Sequence, residues 1–419
     1  MNYPDILIRS SALLLSFIIL TLTGCTGTSS LNTCDETARA GSSEDSAGSS
    51  GNNTSISDPS ETALYASCLE TADSFRDIYE QASRSDALNS LETQEKIIAR
   101  LGEKGCCASD ADNQINMENS EILEDFLSAA EAGEEADATV LLVMEGGSVI
   151  YYDLQTQDGS ISAQRCTLYW ENSEPKAGYY EAFTAEKWCY TENGYFFFDQ
   201  YRMPGYDGPP GEIGIRVKPL DTDCRGYCRK YVTPIGYNRN NMLISEWSES
   251  DGFGSLNFYD LYDLMYRMKY GTEAPCPYAY TGAEYEIPAS EFDSVLQSYL
   301  NISSDTIRSR TVYYPESDTY QYRPRGLEDA EYPYSPYPEV TACETLADGT
   351  LKLTVQAVQT TKLTDQAVIS ELVVRPLADG SFQYVSNRVT GTTEGISGTW
   401  FTPRLTEDEW NYRYRSGSY

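Results

Sequence analysis

Apolar positions along the chain change period twice, and each change marks a different kind of element. Between residues 61 and 134 they recur at three and four, the spacing of one helix face. The first run is Ala63-Leu64-Tyr65-Ala66-Ser67-Cys68-Leu69 through Ile78-Tyr79. Leu88, Leu91, Ile97, Ile98 and Leu101 continue it, and Gly102 and Gly105 punctuate its end. A third helix is predicted from Glu121 to Ala132. Ser120 is its expected N-cap and Gly133 its stop, since an oxygen and an acid suit the free N–H groups of a first turn. The pattern breaks twice, so these helices are expected to pack on one another or on a sheet rather than form a coiled coil.

From residue 138 the pattern becomes that of strands. Ala138–Met144, Ser148–Tyr152, Ile161–Trp170, Trp188–Tyr190 and Tyr195–Phe198 are separated by Gly146-Gly147, Asp158-Gly159 and Asn193-Gly194. Such dipeptides allow the positive φ that tight hairpins require. An antiparallel meander is the expected result. Residues 203–257 are less regular, with strands expected at Ile213–Val217 and Met242–Trp247. Leu261, Leu264, Met265 and Met268 then predict a short helix over Tyr259–Tyr270. A longer one is expected to start at Pro288, a good first-turn residue. Residues 311–340 read as a Tyr/Pro-rich connector. A second meander follows, with Leu351, Leu353, Val355 and Ala357 alternating with polar residues, then Val368–Val374, Asp379-Gly380 and Phe382–Ser386. Asn193-Gly194-Tyr195-Phe196 and Asp379-Gly380-Ser381-Phe382 are alike, either by remote duplication or because hairpin chemistry recurs. The fold class expected is α+β, with N-terminal helices followed by two antiparallel meanders, each flanked by helix.

The first sixty residues differ from all of this. Residues 12–22 are an apolar run too short to span a bilayer with ease, and they suit a signal-peptide core. The run ends in Leu22-Thr23-Gly24-Cys25, which resembles the bacterial lipobox, in which the cysteine is diacylated before cleavage ahead of it. An uncleaved anchor helix is the alternative, and the n-region carries Asp5 as well as Arg9. Residues 26–60 are mostly Ser, Gly, Thr, Asn and acids, a flexible coil whose reach is roughly 30 Å. The expected organisation is a signal peptide at 1–24, a tether at 25–60, a helical segment at 61–135 and two α+β domains at 136–257 and 258–419.

Composition narrows the function classes. The 419 residues include 30 Lys+Arg, 64 Asp+Glu and no histidine, for a net charge of -34. Without histidine there is no imidazole base, shuttle or metal ligand. The negative charge argues against nucleic acid and against docking on anionic lipid through a basic patch. Two acyl chains on Cys25 would anchor the protein without one. No cofactor is expected. The partners expected are the membrane, through Cys25, and an envelope glycan or protein.

Of 11 cysteines, one is assigned to lipid. The even remainder permits disulfides outside the cell. The nearest pairs are Cys224/Cys228 and Cys166/Cys189, while vicinal Cys106-Cys107 would close a strained ring. The spacings make no zinc pattern. Among acids, Tyr206-Asp207-Gly208, Asp221-Thr222-Asp223 and Glu328-Asp329 lie in loops near tyrosines. A glycan hydrolase would need two such carboxylates across a sugar. Asp251-Gly252-Phe253-Gly254 lacks EF-hand spacing, and Ser173-Glu174-Pro175-Lys176 suits a loop better than a Ser/Lys catalytic helix. The connector interleaves Tyr313, Tyr314, Tyr320, Tyr322, Arg323 and Arg325. These six either present a ligand surface for a glycan or peptide or pack their rings over the sheet.

Several runs carry a family resemblance. They include Thr191–Phe198, Gly205-Tyr206-Asp207-Gly208-Pro209, Ile215–Asp221, Asn240-Asn241-Met242, Phe258-Tyr259-Asp260-Leu261, Tyr322–Gly326, Tyr337-Pro338-Glu339-Val340 and Phe382–Asn387. Over about 140–400 the chain resembles an uncharacterised family of bacterial lipoproteins, a domain of unknown function. The resemblance implies the lipoprotein reading and carries no activity. From sequence, the protein is expected to be a lipid-anchored binding or assembly module; the alternative is a His-free hydrolase using paired carboxylates.

Overall fold

A computed structural model describes residues 59–206, 210–276, 282–326, 334–393, 398 and 400–415. The lipobox, Cys25, nearly all of the tether, Asp207-Gly208 and Glu328-Asp329 lie outside them. The fold is α+β. Helices α1 (Pro59–Arg84) and α2 (Leu91–Gly102) come first. Ser90 caps α2 by accepting from the Thr93 amide at 3.2 Å. A short strand, β1 (Cys107–Asp110), interrupts the expected helical segment and pairs in parallel with β2 (Ala136–Val143). Between them α3 (Ser120–Ala132) is closed by Gly133 in the left-handed region, φ 73°. Its N-cap is Asn119 rather than Ser120, and Asn119 turns its amide away to the carbonyls of Gly102 and Cys106, each at 2.9 Å.

The first meander continues through β3 (Val149–Gln157), β4 (Ser160–Glu171) and β5 (Glu174–Thr184), giving a five-stranded sheet in the order β1-β2-β3-β4-β5. Both faces are covered. Leu141, Val143 and Leu168 pack on Leu64, Phe75, Ile97 and Leu101 of α1 and α2. Val140, Leu142 and Leu154 pack on Leu123, Phe126 and Leu127 of α3 and on a small second sheet. This is why Val140–Val143 reads as an unbroken apolar run. The small sheet holds β6 (Trp188–Tyr190), β7 (Tyr195–Asp199) and β8 (Glu212–Arg216), with β7 in the middle.

Strand β7 explains its own sequence. Phe196 and Phe198 enter the core beneath the first sheet, while Tyr195 and Phe197 face Val358, Tyr337 and Leu363 on the other side. All four are fully buried. At about 1.5–3 kcal/mol for each fully buried large apolar side chain, this strand is a main source of cohesion. The Asn193-Gly194 turn that enters it admits no side chain at Gly194. Its φ is +97°, and a Cβ would lie 2.4 Å from the Lys218 Cβ. Gly194→Ala is therefore expected to cost about 1–3 kcal/mol, read as a lower midpoint in urea unfolding.

Helix α4 (Thr222–Tyr227) follows. The strand expected at Met242–Trp247 shrinks to β9 (Trp247–Ser248), because Asn240 makes a turn whose side chain accepts from the Met242 amide at 3.0 Å. Helix α5 (Phe258–Tyr270) starts on Asn257, whose side chain caps the Tyr259 and Asp260 amides. Pro288 ends strand β10 (Tyr285–Pro288) and only N-caps α6 (Ala289–Gln297), which is shorter than α5. After α7 (Ser304–Ser309), the expected connector proves to contain a hairpin, β11 (Tyr313–Tyr314) and β12 (Thr319–Tyr322), which joins β10 in a three-stranded sheet. The second meander is β13 (Tyr337–Thr345), β14 (Leu351–Val358), β15 (Val368–Pro376) and β16 (Phe382–Thr392), with β9 added at its edge. Its core side packs on α5, α6 and the 231–256 segment through Val340, Leu353, Val355, Leu372 and Tyr384. Helix α8 (Glu407–Tyr414) is the last of the described helices.

Residues Ser60–Tyr419 make one unit of contacts, and the expected boundaries at 135/136 and 257/258 fall inside it. The two turn-plus-aromatic units lie in sheets of different topology. Among the described residues, no helix is long and apolar enough to cross a membrane.

Candidate functional site

The six residues singled out in the connector divide by burial. Tyr320 and Tyr322 point inward and are buried. The Tyr320 hydroxyl donates to Asp293 at 2.7 Å, and that of Tyr322 to Asp263 at 2.5 Å. Burial, reinforced by these carboxylates, raises both phenols above the ordinary tyrosine value. Arg325 is also interior, forked on Asp260 at 2.9 and 2.8 Å. Arg323 donates to Glu284 at 2.9 Å and lies over the Trp410 ring at 4.1 Å. Tyr313 and Tyr314 are half-buried. Tyr313 donates to Asp318 at 2.8 Å beneath the Arg308 guanidinium, and Tyr314 accepts from Gln321 at 3.1 Å. Tyr320, Tyr322 and Arg325 thus present no face to solvent. Tyr314 alone of the six borders an open groove of about 460 Å³, with Glu286, Pro315, Glu316 and Ser317.

Beneath these residues lies a buried ionic centre. Arg404 reaches from the C-terminal segment to Asp260 and Asp263, each at 2.5 Å, and also donates to the Arg323 carbonyl at 2.6 Å. Two acids one turn apart on α5 thereby hold two arginines from distant segments. Burial raises the Asp263 carboxyl against the pull of Arg404.

A second buried centre escaped the sequence reading. Glu339 on β13 contacts Arg216 of β8 at 2.8 Å and Arg225 of α4 at 3.6 Å. A chain of hydrogen bonds leads to it: Asn113 donates to Tyr337 at 3.1 Å, Tyr337 to Tyr195 at 3.3 Å, and Tyr195 to Glu339 at 3.1 Å. The Arg225 guanidinium also donates to the Asn113 carbonyl and to the Asn116 side chain. Burial raises the Glu339 carboxyl, while the two arginines oppose the rise. The available signal was an acid or a base standing alone in an apolar strand: Glu339 between Pro338 and Val340, and Arg216 between Ile215 and Val217.

Two of the loop acids act as caps. Asp221 caps α4 through the Asp223 and Cys224 amides at 2.8 and 3.3 Å. Asp251 accepts from the Ser248 and Gly254 amides at 2.9 and 3.1 Å. Ser173 lies in the turn between β4 and β5 with positive φ. A second open groove, about 540 Å³, runs beside α1 and is lined by Glu70, Asp73, Lys104 and Tyr151 among others.

No S–S bond joins the described cysteines in this structure, and their neighbours differ from those expected from sequence proximity. Cys224 meets Cys343 on β13, Sγ to Sγ 3.5 Å, rather than Cys228, whose Sγ donates to the Pro338 carbonyl at 3.5 Å. Cys166 lies in one buried cluster with Cys68 of α1, and Cys189 donates instead to the Leu363 carbonyl at 3.7 Å. Asp221, Cys224 and Cys343 form a group of potential metal ligands.

Exposed aromatics gather elsewhere. Edge strand β5 presents Tyr179, 61% exposed, and the segment after β7 presents Tyr201, Met203 and Tyr206 at 58, 73 and 48%. Arg202 fastens the two, donating to Glu181 of β5 at 3.1 Å while lying 4.9 Å over the Tyr206 ring. No sequence period points to this patch, because the loop is irregular and β5 is half-exposed on both faces.

The arrangement defines an α+β protein of four sheets, in which a buried aromatic strand packs between the two five-stranded ones and the ionic centres lie inside. The chain belongs to the family of unknown function DUF6070, whose model matches residues 61–404 and so takes in the N-terminal helices as well as both meanders. No curated protein and no solved structure matches it.

Proposed function

We propose that this is a lipid-anchored extracytoplasmic protein that acts as a non-catalytic binding or assembly module. The observation that carries the anchor is the apolar run at 12–22 ending in Leu22-Thr23-Gly24-Cys25. Diacylation and further acylation of Cys25 would hold the chain at the outer face of the cell membrane, since two or more acyl chains anchor stably. Helix α1 begins at Pro59, so the Ser/Gly-rich segment between it and Cys25 is left to act as a tether.

Support for a binding role comes from the exposed patch of Tyr179, Tyr201, Met203 and Tyr206 around the Arg202–Glu181 pair. Aromatic faces beside a guanidinium suit a glycan ring or an extended peptide of the cell envelope. The buried acids Asp260, Asp293 and Glu339 are engaged by arginines and tyrosines, which favours this reading over the carboxylate hydrolase.

Two measurements test it. Cys25→Ala is expected to move the protein from the detergent phase to the aqueous phase or to leave its precursor uncleaved. A processed Cys25→Ala protein still in the membrane would sink the anchor. In the soluble 60–419 unit, Tyr179→Ser, Tyr201→Ser and Tyr206→Ser together are expected to weaken retention on isolated cell envelopes by about tenfold or more, as loss of aromatic anchors does. Retention unchanged by the triple variant would reject this face.

A further inference from the structure

We propose that the chain carries two long-range disulfides, Cys224–Cys343 and Cys68–Cys166. The first pair is the better defined. Its sulfurs lie 3.5 Å apart across the contact between α4 and β13, and a bond requires them to close to about 2.05 Å. Cys343 is half-exposed and lies just beyond the β-bulge at Val340/Ala342, whereas Cys224 is buried. The neighbours of this pair indicate its purpose. Arg225 follows Cys224 on α4, and Glu339 lies four residues before Cys343 on β13. A bond between the sulfurs would hold together the two elements that pair those buried charges.

Cys68 and Cys166 share one buried cluster in the interior, where α1 lies on β4. This bridge would staple the first helix of the folded unit to the first sheet. Both sulfurs are fully buried, so the bond must form as the chain folds.

A metal is the competing use of Cys224 and Cys343, with Asp221 as a third ligand. One oxygen of Asp221 is already occupied by the α4 amides. Among the described residues, no further Cys, Asp or Glu joins that group, and none joins Cys68 and Cys166 to make a second. A disulfide needs only the two sulfurs that each pair supplies.

The chemistry is thiol–disulfide exchange with an oxidant of the disulfide class, RSSR. The Cys343 thiolate attacks RSSR, forming a mixed disulfide and releasing one RS⁻. The Cys224 thiolate then attacks the Cys343 sulfur and releases the second RS⁻. The two thiol protons pass to the two RS⁻ groups, so two protein thiols are oxidised and one RSSR is reduced to two RSH. Cys68 and Cys166 follow the same balance. The inference rests on the folded unit and not on the anchor, although an extracytoplasmic location would supply such an oxidant.

The test uses the full-length chain in detergent, refolded from the reduced state in a glutathione redox couple with oxidised glutathione in excess. After alkylation under denaturing conditions, digestion without reductant should yield one linked peptide pair holding Cys224 and Cys343 and another holding Cys68 and Cys166. Each should be lighter by two hydrogens than its separate peptides. Cys343→Ser should leave Cys224 alkylated, keep the other bridge, and lower the Tm of the oxidised protein by about 5 °C but not that of the reduced protein. The wild-type map decides the connectivity even if this variant fails to fold. Alkylation of all four thiols after oxidative refolding, or linkage of Cys224 to Cys228 or Cys166 to Cys189, would overturn the proposal. Recovery of one bridge alone would overturn the other. Stoichiometric zinc that shields Cys224 and Cys343 from alkylation until it is chelated would replace the first bridge with a metal site.

Discussion

Glu339→Ala should lower stability by about 3–5 kcal/mol. The substitution removes the one carboxylate that both Arg216 and Arg225 share, and all three side chains are buried. It leaves two guanidinium groups in a place that water does not reach, and it strips the Tyr195 hydroxyl of its acceptor. Most of the cost therefore comes from the charges left behind rather than from the pair that is lost. The way to see this is a cycle in urea. Glu339→Leu with Arg216→Met should recover at least half of the loss from Glu339→Leu alone, because the apolar pair no longer strands the Arg216 charge. A double-variant loss equal to the sum of the Glu339→Leu and Arg216→Met losses would show that the centre is not energetically coupled.

Asp260→Asn is the second large expectation, again about 3–5 kcal/mol. The side chain keeps its shape but loses the charge that holds Arg325 in a fork and Arg404 at 2.5 Å. The consequences should be local first. Arg404 connects the C-terminal segment to α5, so residues 400–415 should lose amide protection well before the sheets do. Hydrogen exchange resolved by peptide reads this directly. Equal loss of protection in β14 and in α8 would instead mean that the centre supports the whole fold, not one flap.

Both centres show where sequence was informative and where it was not. Helices α1, α2, α3 and α5 and the two meanders were legible, because one buried face imposes a period of 3.6 or 2 on the residues that cover it. The strands Ala138–Met144 and Tyr195–Phe198 were legible for the opposite reason, as apolar runs buried on both faces. What was hidden depended on partners distant in the chain. β1 became a strand only because β2 lies beside it, in parallel, some thirty residues later. Tyr320 and Tyr322 looked like a ligand face, since sequence does not reveal that Asp293 and Asp263 wait beneath them. Cys224 looked closest to Cys228 because proximity in sequence was the only measure to hand, yet its neighbour in space is 119 residues away. The exposed patch on β5 and the 201–206 segment had no signature, as an irregular loop imposes no period on its side chains.

Strand β7 also sets a timetable. Its Tyr195 and Phe197 face is covered by Tyr337, Val358 and Leu363, which are made much later. At about 5–20 residues per second, the ribosome needs roughly 10–30 s to supply that cover. Throughout that interval the emerging chain carries a half-dressed aromatic ribbon, paired with β6 and β8 and open to any sticky neighbour. A chain cut short anywhere between the two sheets would keep that ribbon bare for good. Early termination is thus expected to leave an exposed aromatic strand that favours aggregation.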